Sequence, residues 1–588
     1  MAAASMLLLP LSAAISQSYD PEDPASGAPQ GMLGAPADPL SYYRAKLRVR
    51  ALVDDEEGAA DATEAEPLAE RLVRDYPRDG ENWLLLGTSK RLLGKHAEAA
   101  AAYERAGPLL GWSLTRVPAL FAASSHLAAG NRRAALDLLR KSVFEQRFPL
   151  RSMLYDLDLF ARLRDDPEFL EIVGRPDTKG WTRDYGWRRD IDFLRDEVKR
   201  VNPVYHHAPL PPEFDRRYQA LKERVPKLTD EQIVVGMSGM LATLRQGHTD
   251  LMGMSAGTIP RRNLPFQLWA FPEGIFIVEA TPEHKHLIGS RLLRIGDTSA
   301  EEALRRVNAT QSRDGEMEYL LIGPSTLLNM AFLKAIGVVE SLEAADLTLQ
   351  SPSGKIRKLK VESVRNAPGT LKLPPPPKVA PPMFLRDVPQ QHWELMLPRH
   401  DSLYVQLNQS FDDKDETLEQ FGLRIRRILA EAGPANLILD MRHNTGGSTH
   451  QQKELLRTII GFSQLPGKRV YVLIGRATYS AAANFLTDLE RLADPVFVGE
   501  ASSECCVIHG DPSDFALPYS KVRGRVAAVR WNLSWNVLDG RREMSPEVPV
   551  QLSARDYFEG KDPALDAVLA LTLAGRTAPP RIAEPPAR

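Results

Sequence analysis

The chain has 588 residues, 43 % hydrophobic and 26 % charged, ordinary values for a globular protein and a length for roughly three to five domains. Its net charge of −2 gives no bulk field toward nucleic acid or an anionic membrane, so neither is an expected partner, and basic runs such as 424–427 read as solvated helix faces. The two cysteines, Cys505 and Cys506, are adjacent. They build no disulfide framework and no structural zinc site, and either stay as thiols or form a vicinal disulfide.

The apolar stretch "MLLLPLSAAIS" at 6–16 is too short to span a bilayer. With the small residues after it, it resembles a secretory signal peptide over 1–16, without a basic leading region. Periplasmic or secreted placement is the expectation and a cytoplasmic one the alternative. No other stretch reads as a transmembrane helix. Residues 17–40 are a linker rich in Ser, Pro, Asp, Gly and Ala.

A helical domain is expected over 41–175. Trp83, Leu86, Gly87, Gly94, Ala99, Tyr103 and Ala106 fall at the spacing of the tetratricopeptide repeat, and Gly130, Ala135 and Leu139 continue the register. Such repeats are binding scaffolds for a protein partner; a plain helical bundle is the alternative. Residues 176–260 have apolar residues at helical spacing, and Thr229 with Gln232 is a capping-box signature. Residues 261–365 turn strand-rich. There "LIGSRLLRIGDTSAEEAL" resembles the core of a PDZ domain, with 311–340 as a helical insertion. Residues 366–389 are a Pro-rich linker.

From 390 to 575 strand and helix alternate. "NLILDM", "RVYVLIG" and "PVFVGE" are β-branched runs separated by helix-like segments, a βαβαβ pattern that predicts a parallel sheet. Residues 576–588 read as a disordered tail. Functional loops gather at the carboxyl ends of such strands. If the strands are neighbours, Gly446, Gly447, Ser480 and Cys505 share one rim. Gly446 and Gly447 allow a turn with exposed amides, as an oxyanion hole needs. Ser480 opens a helix, where the Ala481 amide and the helix dipole favour a developing negative charge. On its own, a serine in that place is more often a helix cap than a nucleophile.

"LATLRQGHTDL", "LILDMRHNTGG", "GRATYSAAANF" and "VFVGE" together resemble the tail-specific, or C-terminal-processing, serine protease family, which includes the core of tricorn protease. The likeness spans roughly 180–575. It implies a multidomain α/β chain: a crotonase-like βα protease core, a PDZ-like β-rich module and an N-terminal helical-repeat domain. The implied activity is a serine endopeptidase or carboxy-terminal processing peptidase. Ser480 falls on the nucleophile, and Asp440, Arg442, Asn444, Gly446 and Gly447 on the first motif. Asp440 and Arg442 read as holding the loop. Many members pair the serine with a lysine; here Cys505 stands in that place, so there is no Ser–Lys dyad.

The resemblance then puts His248 in the role of base. A neutral imidazole takes a serine proton at neutral pH. Glu543, with Glu547 second, is the expected orienting group. His509 is an alternative base and Cys505 an alternative nucleophile; His206 and His207 read as surface or packing residues. The oxyanion donors are Ala481 with Gly446 or Gly447. No metal or organic cofactor is implied, the partner is a polypeptide substrate, and a homo-oligomer is left open. The competing reading is an inactive protease-like fold that serves as a protein- or ligand-binding scaffold.

Overall fold

A computed structural model describes residues 39–54, 59–110, 116–251, 259, 261–536 and 538–574. The expected leader over 1–16, most of the linker and the tail lie outside the described residues. The chain is a mixed α/β, multidomain protein, and it divides into two compact units. One comprises the chain up to Gly180 with Asp514–Pro518; the other comprises the rest. No helix among the described residues is long and apolar enough to cross a membrane.

The helices of the first unit include α1 (Pro39–Val53), α2 (Ala59–Asp75), α3 (Gly80–Leu92), α4 (His96–Ala106), α5 (Arg116–Ala128) and α6 (Arg132–Arg140). They pack as successive neighbours. The small residues singled out in the sequence serve two purposes. Gly87 on α3 lets the Tyr103 ring of α4 approach so closely that a Cβ would lie 2.7 Å from it. Gly94 and Gly130 take positive φ at the turns, which only glycine adopts at no steric cost.

The second unit opens with α7 (Arg183–Val201), α8 (Pro212–Arg224) and α9 (Asp230–Ala242). Thr229 and Gln232 form the reciprocal capping box at the start of α9. An antiparallel sheet follows in the order β1 (Phe266–Phe271), β2 (Gly274–Ala280), β3 (Arg291–Ile295), β4 (Ala344–Gln350), β5 (Ile356–Glu362). Between β3 and β4 lie α10 (Ala300–Asn308), α11 (Glu318–Thr326) and α12 (Met330–Ala335).

The central sheet runs β6 (His392–Leu397), β7 (Ser402–Leu407), β8 (Asn436–Asp440), β9 (Arg469–Ile474), β10 (Val496–Gly499) and β11 (Val548–Pro549), adjacent in that order. All its neighbours pair in parallel except β6 with β7. The three apolar runs read from the sequence are thus adjacent strands. Alternation sorts their side chains between two cores. Leu437, Leu439, Val470 and Val472 pack on one face with α13 (Leu418–Ala432), α14 (Lys453–Ser463) and α15 (Ala481–Leu492). Ile438, Tyr471, Leu473 and Val498 face α16 (Pro563–Ala574) on the other. A parallel sheet covered on both faces needs such near-continuous apolar strands.

One ion pair ties the sheet to α16. Arg442, just past β8, forms charge-assisted bonds with Asp440 and with both oxygens of Asp562 at 2.7 and 2.8 Å. Its guanidinium also sits 3.9 Å from the centroid of the Phe384 ring. Asp562 in turn accepts from the Leu565 amide in the first turn of α16. Removing one partner of a buried pair strands the other charge. Arg442→Ala is therefore expected to lower stability by about 3–5 kcal/mol in chemical denaturation; a change below about 1 kcal/mol would show that the pair carries no such role.

Candidate active site

The loops after β8, β9 and β10 meet at the carboxyl rim. Thr478 Oγ1 donates to the Met441 carbonyl at 3.0 Å, and the Tyr479 amide donates to the Asn444 carbonyl at 3.1 Å. These bonds hold the first two loops together. Ser480 follows with φ 58° and ψ −124°, and the Ala482 amide donates back to the Tyr479 carbonyl at 3.1 Å. That is a type II′ turn with serine in the position glycine usually takes. A non-glycine residue there is strained by about 1–3 kcal/mol, held only because its surroundings over-determine it. The Ser480 hydroxyl makes no capping bond to the helix, so the bland reading as an N-cap does not describe it.

The Ser480 hydroxyl lies 3.0 Å from His248 Nε2. His248 comes from the segment between α9 and the short strand Asp250–Leu251, and three bonds set that segment. Ser312 Oγ donates to the Gln246 carbonyl at 2.7 Å, the Gly247 amide donates to Asp314 at 2.7 Å, and the Ala527 amide donates to Thr249 Oγ1 at 3.0 Å. The imidazole stacks on the Tyr479 ring, centroids 4.7 Å apart and planes 13° off parallel. Its Nδ1 lies 3.0 Å from the Tyr479 hydroxyl and 3.3 Å from Glu504 Oε1. The other Glu504 oxygen accepts from the Ser480 amide at 2.7 Å.

Burial dominates the electrostatics. It pushes His248 down to about 4, leaving the ring neutral at neutral pH. It pushes Glu504 up to about 7, against the opposing pull of its bonds from Asp314 and the Ser480 amide. Asp314 and Glu318 are held well above the carboxylate range by burial first and by neighbouring carboxylates second. Tyr479 is pushed up for the same reasons.

Gly446 and Gly447 take φ 102° and 143°. A Cβ at Gly446 would lie 2.6 Å from Ser480 Cβ, and one at Gly447 2.5 Å from the Ser410 carbonyl. The Gly446 amide is occupied, donating to Asn444 Oδ1 at 3.0 Å. The amides of Gly447 and Ala481 have no hydrogen-bond partner among the described residues. Both residues line a cleft of about 90 Å³ with Ser480, His450, Asn484, Ile508, Asp511 and Trp531. Of the two glycines, Gly447 therefore has the amide available to an oxyanion.

Glu543 is a correction. Its carboxylate accepts from the Met317 amide at 3.2 Å, and the carboxylate beside the imidazole is Glu504. Glu547 accepts from the Phe497 amide at 2.6 Å and serves the sheet. His509, on a ribbon pairing Val507–Gly510 with Val529–Asn532, is half-buried and pushed down to about 4 by desolvation; the ring on the Ser480 hydroxyl is that of His248. Cys505 is fully buried, disulfide-bonded to Cys506, and packs in the core, so it offers no thiolate. Glu504 escaped the sequence reading by one residue, although a lone carboxylate before two core cysteines in a rim loop is itself a signal. Asp314 and Glu318 left no local signal.

His248, Asp314 and Glu504 offer ligand atoms within 4.8 Å of one another, as a metal site would. Asp314 accepts from the Gly247 amide, Glu504 Oε2 from the Ser480 amide, and the imidazole nitrogens lie 3.0 Å from the Ser480 and Tyr479 hydroxyls. Glu504 Oε1 has no hydrogen-bond partner among the described residues.

No protein-family model and no curated protein sequence matches the chain. Solved structures do resemble it. Mature CPAF complexed with lactacystin is similar over 67 % of this chain and 99 % of its own, at 12 % identity and a TM-score of 0.49. The photosystem II D1 C-terminal processing protease is similar over 64 % and 98 %, at 15 % identity and 0.31. Tricorn protease is similar over 67 % of this chain and 37 % of its own, at 13 % identity and 0.32.

The strain at residue 480 is measurable. Ser480→Gly and Ser480→Ala both remove the hydroxyl, but only glycine relaxes the turn. The glycine variant is expected to be the more stable of the two by about 1–3 kcal/mol in urea denaturation. Equal stabilities would show that the turn is unstrained.

Proposed function

We propose that the chain is a serine-type peptidase with a Ser480–His248–Glu504 relay and no lysine. The observation that carries the reading is the 3.0 Å contact of Ser480 Oγ with His248 Nε2 at a strained turn, with a buried carboxylate beside Nδ1. The peptide bond as substrate comes from the family resemblance of the sequence.

In this mechanism Ser480 Oγ attacks the scissile carbonyl as His248 Nε2 takes its proton. Glu504 accepts from Nδ1–H, so that Nε2 keeps its lone pair for the serine. The amides of Gly447 and Ala481 stabilise the oxyanion, aided by the N-terminus of α15. The imidazolium protonates the leaving amine, and water, activated by the same imidazole, releases the acyl group. On this reading the central sheet is a crotonase-like core, the β1–β5 sheet with its helical insertion a PDZ-like module, and the first unit a tetratricopeptide-like scaffold that recruits a protein partner. A periplasmic or secreted site of action rests on residues 1–16 alone.

A fluorophosphonate probe should label the wild type and not Ser480→Ala. A folded wild type left unlabelled between about pH 6 and 9, a range that brackets the Glu504 titration near 7, turns the reading to a binding scaffold. His248→Ala is expected to slow acylation by about 10³-fold or more.

The pH profile has a definite sign. Activity needs His248 neutral and Glu504 ionised. His248, near 4, is neutral well below pH 7, so the limb belongs to Glu504. Labelling should therefore rise as pH climbs through about 7. Glu504→Gln should lose that limb along with about 10²–10⁴-fold in rate. A variant that keeps the limb would assign it to another group.

A further inference from the structure

We propose that Asp314 is a positioning residue that carries a proton and donates it to Glu504, so the pair presents one negative charge to His248 and not two. This rests on the peptidase reading above. Asp314 and Glu504 are 4 % and 1 % exposed, and an oxygen of each lies within 4.8 Å of the other. Two carboxylates in such contact away from water cannot both stay ionised. One must hold a proton, and the partners decide which.

Glu504 accepts from the Ser480 amide at 2.7 Å, and the imidazole Nδ1 lies 3.3 Å from its other oxygen. The amide bond favours its anion. Asp314 receives one backbone bond on Oδ2, from Gly247, which leaves its other oxygen to bear hydrogen. The remaining charged groups nearby do not compensate a second anion. Arg525 is committed to both oxygens of Asp250, at 3.1 and 2.9 Å. Arg542 donates to the carbonyls of Arg245 and Asp314, not to a side chain. Glu318 accepts from the Asp314 amide at 2.9 Å and is itself an acid raised by burial. The Tyr479 hydroxyl is held neutral.

The proton on Asp314 has a catalytic consequence. Two anions beside Nδ1 would draw a proton onto His248 and leave an imidazolium. Nε2 would then carry hydrogen toward Ser480 and could not act as base. A single shared charge instead holds the ring neutral with Nδ1–H toward Glu504. The bond that fixes Gly247, through the other Asp314 oxygen, sets the height of the ring over Ser480 in the same stroke.

The test compares Asp314→Asn, which keeps a neutral donor and an acceptor in place, with Asp314→Ala, which keeps neither. The asparagine variant should label with fluorophosphonate within about threefold of wild type and keep the acid limb where it was, and alanine should lose about tenfold or more. If asparagine falls as far as alanine, or moves the limb by about a pH unit, Asp314 is an anion in the working enzyme and the proposal fails. Infrared spectroscopy reads the proton without catalysis. Wild type near pH 9, well above ordinary carboxylate titration, should show a buried carboxylic-acid carbonyl band that Asp314→Asn diminishes. No such band in wild type overturns the proposal even if the variant does not fold. An unlabelled Ser480 with the band present would sink the peptidase reading while leaving the shared proton standing.

Discussion

Glu504 accepts the amide of Ser480 through one oxygen and lies beside His248 Nδ1 through the other, so a single buried carboxylate fixes Ser480 and His248 relative to each other. The rest of the site follows from that double attachment. A serine at φ 58° would relax if its amide were free; the carboxylate gives that amide a partner only in the strained turn. An imidazole away from water would adopt either tautomer; in the proposed relay the same carboxylate selects the one whose Nε2 can receive a proton. Strain and tautomer thus have one cause.

Holding that carboxylate dry is costly, and the surrounding packing shows how it is offset. The loop carrying Glu504 is clamped on both sides, by Ser503 bonded to the Thr478 carbonyl and by Ser502 bonded to Met544. Cys505 and Cys506 anchor it in the core of the sheet. Across from it, Asp314 and Glu318 come from the helical insertion between β3 and β4, and Gly247 lets them close in. A Cβ there would lie 2.6 Å from a Glu318 oxygen. The residue before His248 is glycine because the acid cluster and the Tyr479 hydroxyl occupy the space of a side chain.

The sequence exposed those parts of the site that lie on regular elements. Apolar β-branched runs at 436–440, 469–474 and 496–499 read as adjacent parallel strands, and adjacency alone put Ser480 and the paired glycines on one rim. His248 was reachable through its motif. Glu504 was missed because motif alignment directed attention to residue 505, and whether 504 or 505 faces His248 is decided by the loop's backbone, with Cys506 at φ 71°. Glu543 was chosen for its place before a turn, but a carboxylate's partner depends on where a distant amide arrives, here that of Met317. Asp314 and Glu318 were invisible for the same reason: nothing local distinguishes an acid bound for a dry interior from one on a solvated helix.

The Arg442–Asp562 pair sets an order on events in the life of the chain. The glycine loop beside Ser480 is braced through Arg442 by a residue 120 positions downstream of it, Asp562. While a ribosome is still making that stretch, the loop after β8 lacks its brace and the rim is unfinished. Synthesis order thus delays completion of the rim: a nascent chain already carries Ser480 and His248, but the loop beside them gains its brace only when the closing helix docks.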